Sequence, residues 1–294
     1  MKKEVKKKII LSGEEKVNVL SIDVEDYYHV AAFEKHVRFE DWDKFESRVE
    51  RNTRHLLELL SQGNIEATFF FLGWVAERNK SLVREVKSQG HEIGCHSFSH
   101  KMIFTQQREE FKKDIERSKS ILEDLIGEKV IGYRAPTYSI TKDSLWALDV
   151  LIEMGFQYDS SIFPIFHDRY GIPDFPRSPH FINREGFGRI LEFPLSTIKI
   201  LNQNIPIAGG GYFRIFPYKL IRFGIRKINL VENESAIIYL HPWEFDPDQP
   251  RINGSFLSKF RHYINLQNTK KRFCQLIKDF KFTSFENIIK TYKY

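Results

Sequence analysis

The sequence predicts an α/β fold: about seven parallel strands closed into a barrel, followed by a helical C-terminal extension. Three observations carry this prediction. Short β-branched or aromatic runs alternate with longer runs of helical period, and glycines stop the helical runs. Titratable residues gather where the apolar runs end, which is where α/β barrels keep their chemistry.

The elements follow in order. Val17-Asn-Val-Leu-Ser-Ile22 reads as a buried first strand. Residues 45–60 give a helix with Val49, Thr53, Leu56, Leu57 and Leu60 on one stripe and Gly63 behind it. Ala67-Thr-Phe-Phe-Phe-Leu72 is the second strand, residues 82–89 the next helix, and Glu92 and Ile93 lie on a short third strand. Phe111, Ile115, Leu122 and Leu125 mark an amphipathic helix stopped by Gly127, and 130–133 follows as a strand. Thr141 is an N-cap for a helix running to Gly155. Residues 164–188 read as a long irregular excursion, and the runs at 190–194 and 236–240 supply the last strands. Helical spacing at Phe273, Leu276, Ile277 and Phe280 predicts a helix packed on the outside of the barrel.

With 294 residues, 41% hydrophobic and 14% aromatic, the chain has material for a sizeable core, which excludes disorder as the main state. Lysine and arginine number 45 against 39 acidic residues, and the surplus of +6 is spread along the chain rather than gathered into an arm, so a dedicated nucleic-acid binder is not the expected class. The basic surplus suits an anionic or membrane-linked partner, compatible with peripheral membrane association. No apolar run approaches the ~20 residues of a membrane span. The start has lysines, but its apolar run, Ile9-Ile10-Leu11, is shorter than the ~7 to 15 residues of a signal sequence, so a cytoplasmic location is expected. Two cysteines, Cys95 and Cys274, give neither a disulfide framework nor a metal clip. Without linker or repeat, residues 1–294 are expected to form one domain, a core over about 17–245 and an extension over about 246–294.

The first strand ends in Asp23-Val-Glu25-Asp26. Strand alternation puts Asp23 and Glu25 on one face and turns Asp26 away. Two like charges on one face need a cation or a proton. His96-Ser-Phe-Ser-His100 follows the third strand, with imidazoles four residues apart, on one side of a helical turn. Together with a carboxylate from strand one they make a site that leaves coordination positions open for water and substrate. Arg134 projects into the same mouth, where it holds a carboxylate such as Asp23 ionised, and Pro136 stiffens the turn so that the Thr137 N–H can serve as an oxyanion donor. His241, at the end of the last strand, is suited to protonate a leaving group.

These residues, with Ala67-Thr-Phe-Phe70, Gly90-His-Glu-Ile-Gly94, Arg134-Ala-Pro136 and Leu240-His241 in this order, resemble the polysaccharide deacetylases of the NodB-homology class, carbohydrate esterase family four. The Asp-Val-Glu-Asp-Tyr-Tyr variant, the His-Pro-Trp-Glu ending and Arg261-His-Tyr-Ile-Asn-Leu266 resemble the exopolysaccharide-locus members with a C-terminal extension. The resemblance implies a distorted (β/α) barrel that uses one divalent metal to remove N-acetyl groups from an amino-sugar glycan. It implies Asp23 as base, and Glu25, with Asp26 as runner-up, His96 and His100 as metal ligands. Arg134 would brace the base, His241 would act as acid, and Asp159 would orient His241. Thr137 takes the backbone-donor position, and Tyr138 and Trp243 are read as groove-lining substrate contacts. Zinc is the expected metal; cobalt, nickel or iron fit the same donors. The rival readings are a small-molecule amidohydrolase on the same barrel and a glycan-binding protein without catalysis.

Overall fold

The computed structural model describes residues 16–292. Its backbone begins with β1 (Val17–Val24), whose alternate residues face two different layers. Leu20, Ile22 and Val24 pack among the helices outside, whereas Val19 points inward with Phe70, Tyr158 and Phe193. Ser21 and Asp23 share the inward parity, so the strand carries its chemistry on the lumen side.

Around β1 the order is β10 (Ile237–Leu240), β1, β2 (Thr68–Phe71), β3 (Glu92–Cys95), β4 (Gly132–Tyr133), β5 (Tyr158–Asp159) and β7 (Gly188–Glu192). All seven run parallel, as expected. β6 (His180–Arg184) adds antiparallel to β7, and β11 (Lys281–Thr283) pairs with the start of β1. No strand pair joins β7 directly to β10 among the described residues. Irregular backbone spans the seam instead: Leu195 N–H donates to Ile162 O, Ile207 N–H to Ser196 O (3.0 Å) and Tyr239 N–H to Ala208 O (2.8 Å). This is the distortion of the barrel. Gly209, at φ +139, touches β10 so closely that a Cβ there would lie 1.8 Å from the Tyr239 carbonyl oxygen, so only glycine fits.

The helices α1 (Val49–Gln62), α2 (Gly73–Arg78), α3 (Lys80–Ser88), α4 (Arg108–Ile126) and α5 (Ala147–Glu153) cover the outside. Gly127 ends α4 in the left-handed conformation, φ +71, as the sequence predicts. Thr141 forms a capping box with Ser144 on a 3-10 turn, and α5 itself starts only at Ala147. The excursion 164–188 is not wholly irregular, because β6 lies within it. Sequence periodicity also missed the hairpin of β8 (Thr197–Ile200) and β9 (Gln203–Pro206), whose two-residue turn puts Leu201 and Asn202 at positive φ without the usual glycine. After α6 (Gly210–Ile215) and α7 (Tyr218–Lys227) comes the extension: α8 (Phe256–Tyr263), α9 (Leu266–Asp279) and α10 (Phe285–Ile289). Phe273 of α9 is fully buried against Phe245, the expected external packing. Among the described residues no helix is long and apolar enough to cross a membrane, and the N-terminal run behind the location reading lies outside them.

Candidate metal centre and active site

At the C-terminal mouth of the barrel the structure gathers Asp23, Glu25, His96, His100, Arg134 and His241. All but Arg134, which lies buried behind Asp23, line a cavity of about 280 Å³ that Thr137, Tyr138, Tyr212 and Trp243 also line. Glu25, His96 and His100 offer one ligand atom each, all within 4.8 Å of one another. Glu25 Oε2 lies 2.7 Å from His100 Nε2 yet makes no hydrogen bond, although buried. Burial alone would raise the Glu25 pKa; the facing imidazoles, His100 first and then His241, outweigh it and hold the carboxyl well below its usual range. A buried, ionised carboxylate with an uncommitted oxygen beside two imidazoles fits a divalent cation. His96 Nδ1 donates to the Arg134 carbonyl, 2.8 Å, which leaves its Nε2 lone pair for a ligand. Burial pushes the His96 pKa down to about 4, favouring the neutral, ligating form.

The histidines do not meet on a helical turn. Ser97 and His100 adopt positive φ, +62 and +55, and the loop between them is stapled by Asp114 of α4, which accepts from Phe98 N (2.7 Å), Ser99 N (3.1 Å) and Ser99 Oγ. Two left-handed residues bring the rings to 5.3 Å. Sequence spacing found the pair and missed the device, because Asp114 sits on the polar side of an ordinary amphipathic helix.

Asp23 receives Arg134 Nη1 at 2.8 Å and Tyr138 Oη at 3.3 Å. Arg134, fully buried, also reaches Ser21 Oγ and the Ser160 backbone and hydroxyl, so its guanidinium has one orientation. Asp26 is elsewhere: its carboxylate accepts the backbone N–H groups of Tyr27, Arg48 and Val49 and the Ser47 hydroxyl, anchoring the start of α1. With its oxygens so engaged, it has none to offer the two histidines. Thr137 has φ +56, a strained conformation for a β-branched residue, and lies at the cavity wall.

One of the expected roles needs correction. Asp159 does not orient His241. Its Oδ1 accepts from Ser161 Oγ, and burial raises its pKa to about 6 against the opposing hydrogen bonds of Glu192 and Ser161, while burial and the Asp159 carboxyl raise Glu192. The partner of His241 Nδ1 is Glu244 Oε1, at 2.7 Å, and Arg214 Nε holds the other oxygen of Glu244 at 2.6 Å. Burial works against the His241 charge, but the Glu244 hydrogen bond and the charges of Glu25, Glu244 and Asp23 raise its pKa overall. His241 Nε2 faces Glu25 Oε1 at 3.6 Å and Asp23 Oδ2 at 3.9 Å. The His-Pro-Trp-Glu spacing was the available signal, since residues three apart meet on one turn; Arg214, in a glycine-led aromatic run, gave none. Trp243 lies on the cavity wall, as expected of a groove-lining residue, and also makes protein contacts: its indole N–H donates to Glu25 Oε1 (3.2 Å), and its ring stacks on His241 and His262, centroids 5.1 and 4.1 Å away. It borders the cavity and braces Glu25 and His241.

A distorted α/β barrel with a carboxylate and two imidazoles converging at its mouth, beside an arginine-braced aspartate and a glutamate-braced histidine, defines the class. The family model described as "Polysaccharide deacetylase" matches residues 37–158, and the "Domain of unknown function (DUF3473)" matches residues 160–290. Residues 37–158 thus match the polysaccharide deacetylases, the NodB-homology class that the motifs resemble. A peptidoglycan-N-acetylglucosamine deacetylase of Bacillus cereus is 34% identical over 98 residues, 33% of this chain and 36% of that protein. A peptidoglycan deacetylase of Helicobacter pylori is 27% identical over 107 residues, 36% of each. The chain thus spans well under half the length of the curated relatives it matches. In fold it is similar to a Mycobacterium smegmatis structure assigned to the polysaccharide deacetylases, with a TM-score of 0.60 and 19% identity over 94% of this chain and 89% of that one.

Proposed function

We propose that this chain is a metal-dependent hydrolase that removes N-acetyl groups from amino sugars in a polysaccharide or its precursor, releasing acetate. The observation that carries the reading is the placement of Asp23 and His241 in one cavity, each held by its own buried partner, beside the Glu25, His96 and His100 donors. Those three would hold the cation, and zinc suits two nitrogens and one oxygen. When bound, the cation polarises the acetyl carbonyl and acidifies a water.

The chain's own residues do the rest. Asp23, ion-paired to Arg134, takes the proton of the attacking water at Oδ2, the oxygen that Tyr138 orients. The Thr137 turn presents backbone to the developing oxyanion. His241, charged through Glu244, delivers a proton from Nε2 to the departing amine, which leaves poorly without it. Arg214 ties this acid to the extension, because its Nη1 donates to the carbonyls of His262 and Ile264. For that reason we read the core and extension as one functional domain, even though two family models divide it near residue 159. The His-Pro-Trp-Glu motif and the extension support an exopolysaccharide substrate. The test is acetate release from N-acetylglucosamine oligosaccharides by metal-loaded enzyme. Activity that falls on the order of a hundredfold or more in Asp23→Asn supports the reading; no acetate from any acetylated glycan, with metal bound, would favour a glycan binder.

A further inference from the structure

Beside the cavity lies a surface that the chemistry does not use. Helix α8 turns Ser258 and His262 inward, where the Phe33 ring packs on His262 at 5.0 Å. Its outer face carries Phe256 (87% exposed), Leu257 (50%) and Phe260 (43%). Phe166, 90% exposed, belongs to the loop that an Asp168 to Arg261 ion pair ties to the same helix. Single apolar residues on a surface are ordinary; this group is concentrated on one helix, at the cavity rim, because Arg261 and His262 of α8 line the cavity itself.

The segment that carries the helix has charge of one sign. Between Gln249 and Lys278 the chain has seven lysines and arginines and no acidic residue, and Lys259 stands exposed between Phe256 and Phe260. Large apolar side chains interleaved with cations on a short helix match the boundary between acyl chains and anionic headgroups: the rings enter the apolar layer while the cations stay with the phosphates. A nucleic acid would leave Phe256 and Leu257 facing phosphate with nothing to bury them. A protein partner is less well matched, since the face is a convex helix with no acidic group to set register.

We propose that the outer face of α8, with Phe166, docks on an anionic lipid surface and turns the cavity toward membrane-borne glycan. The surface stands on its own observations; that its cargo is a lipid-linked amino-sugar glycan rests on the deacetylase reading. The test is co-sedimentation of the full chain with vesicles of phosphatidylcholine, with and without phosphatidylglycerol. Wild-type protein is expected to pellet with the anionic vesicles and not with the neutral ones. Phe256→Ser with Phe260→Ser should weaken that binding about tenfold or more, while acetate release from a soluble oligosaccharide is unchanged. Lys259→Glu, which leaves both rings in place, should weaken binding to the anionic vesicles alone. No wild-type binding to anionic vesicles, or binding that neither variant alters, overturns the proposal. So does a dimer, seen by light scattering, that the double variant dissolves without touching vesicle binding, or tighter binding to a DNA oligomer than to vesicles. If the vesicle pattern holds and no acetate is released, the deacetylase reading fails and the docking surface remains.

Discussion

Asp23 and Asp26 sit three residues apart with opposite fates, and the cause is the parity of an extended backbone. Asp23 faces the lumen and Arg134; Asp26 faces α1 and takes three backbone N–H groups and a hydroxyl. Glu25, on the Asp23 side, is left to the histidines. Metal analysis by mass spectrometry should therefore separate them. Glu25→Gln is expected to lose stoichiometric metal, whereas Asp26→Asn keeps it and unfolds more easily, by about 1 to 3 kcal/mol in denaturant titration, because part of its acceptor set is gone. Loss of metal in Asp26→Asn with an intact fold would reverse the assignment. The same logic distinguishes Glu244 from Asp159. Glu244→Gln removes the charge that supports the His241 proton, and kcat for acetate release should fall on the order of a hundredfold. Asp159→Asn should change it less than about tenfold, because Asp159 is engaged with Ser161 and Glu192.

At the scale of elements, the strands that carry chemistry were legible because they run into titratable residues, after apolar runs in β1 and β10 and between flanking glycines in β3, and β1, β2, β3 and β10 all fall where the sequence puts them. The two-residue strands β4 and β5 exist only through pairing with their neighbours, so no local pattern marks β5. Asp23, Glu25, His96, His100, Arg134 and His241 were readable from motif spacing. Their supports were not. Asp114, Glu244 and Arg214 act across 15 to 50 residues or from within a turn, through contacts that only the folded backbone creates. The loop stapled by Asp114 carries an expectation of its own. Asp114→Ala frees two backbone N–H groups and a hydroxyl, and the left-handed turns at Ser97 and His100 lose what holds them. Metal affinity measured by competition with a chelator should drop about 10- to 100-fold while the far-ultraviolet spectrum is retained. Unchanged affinity would mean that the ligand pair holds itself.

On the scale of the whole molecule, the first and last described strands meet beneath the barrel. β11 pairs with β1, Phe285 packs on Phe70 and Tyr158, and Glu92 of β3 accepts from Thr68, from the Tyr158 hydroxyl (2.7 Å) and from the backbone N–H of Glu286 (2.8 Å). Glu92 thus links β2, β3, β5 and α10. Burial dominates its titration and pushes its pKa up to about 7, the three hydrogen bonds opposing only part of that. An acid raised on folding binds its proton more tightly in the native state, so its contribution to stability is complete below its ordinary value near 4.5 and is lost as pH rises through about 7. The shift corresponds to roughly 3 kcal/mol between those limits. Glu92→Gln keeps the shape and most acceptors while removing the titration. Asp26 and Asp159, also raised by burial, titrate in both proteins and cancel in the comparison. The stability difference between wild type and Glu92→Gln, taken from denaturant melts across pH 4.5 to 8, should therefore move steadily in favour of the variant as pH rises. Parallel curves over that range would show that Glu92 titrates as an ordinary carboxylate and that the closure beneath the barrel does not depend on its proton.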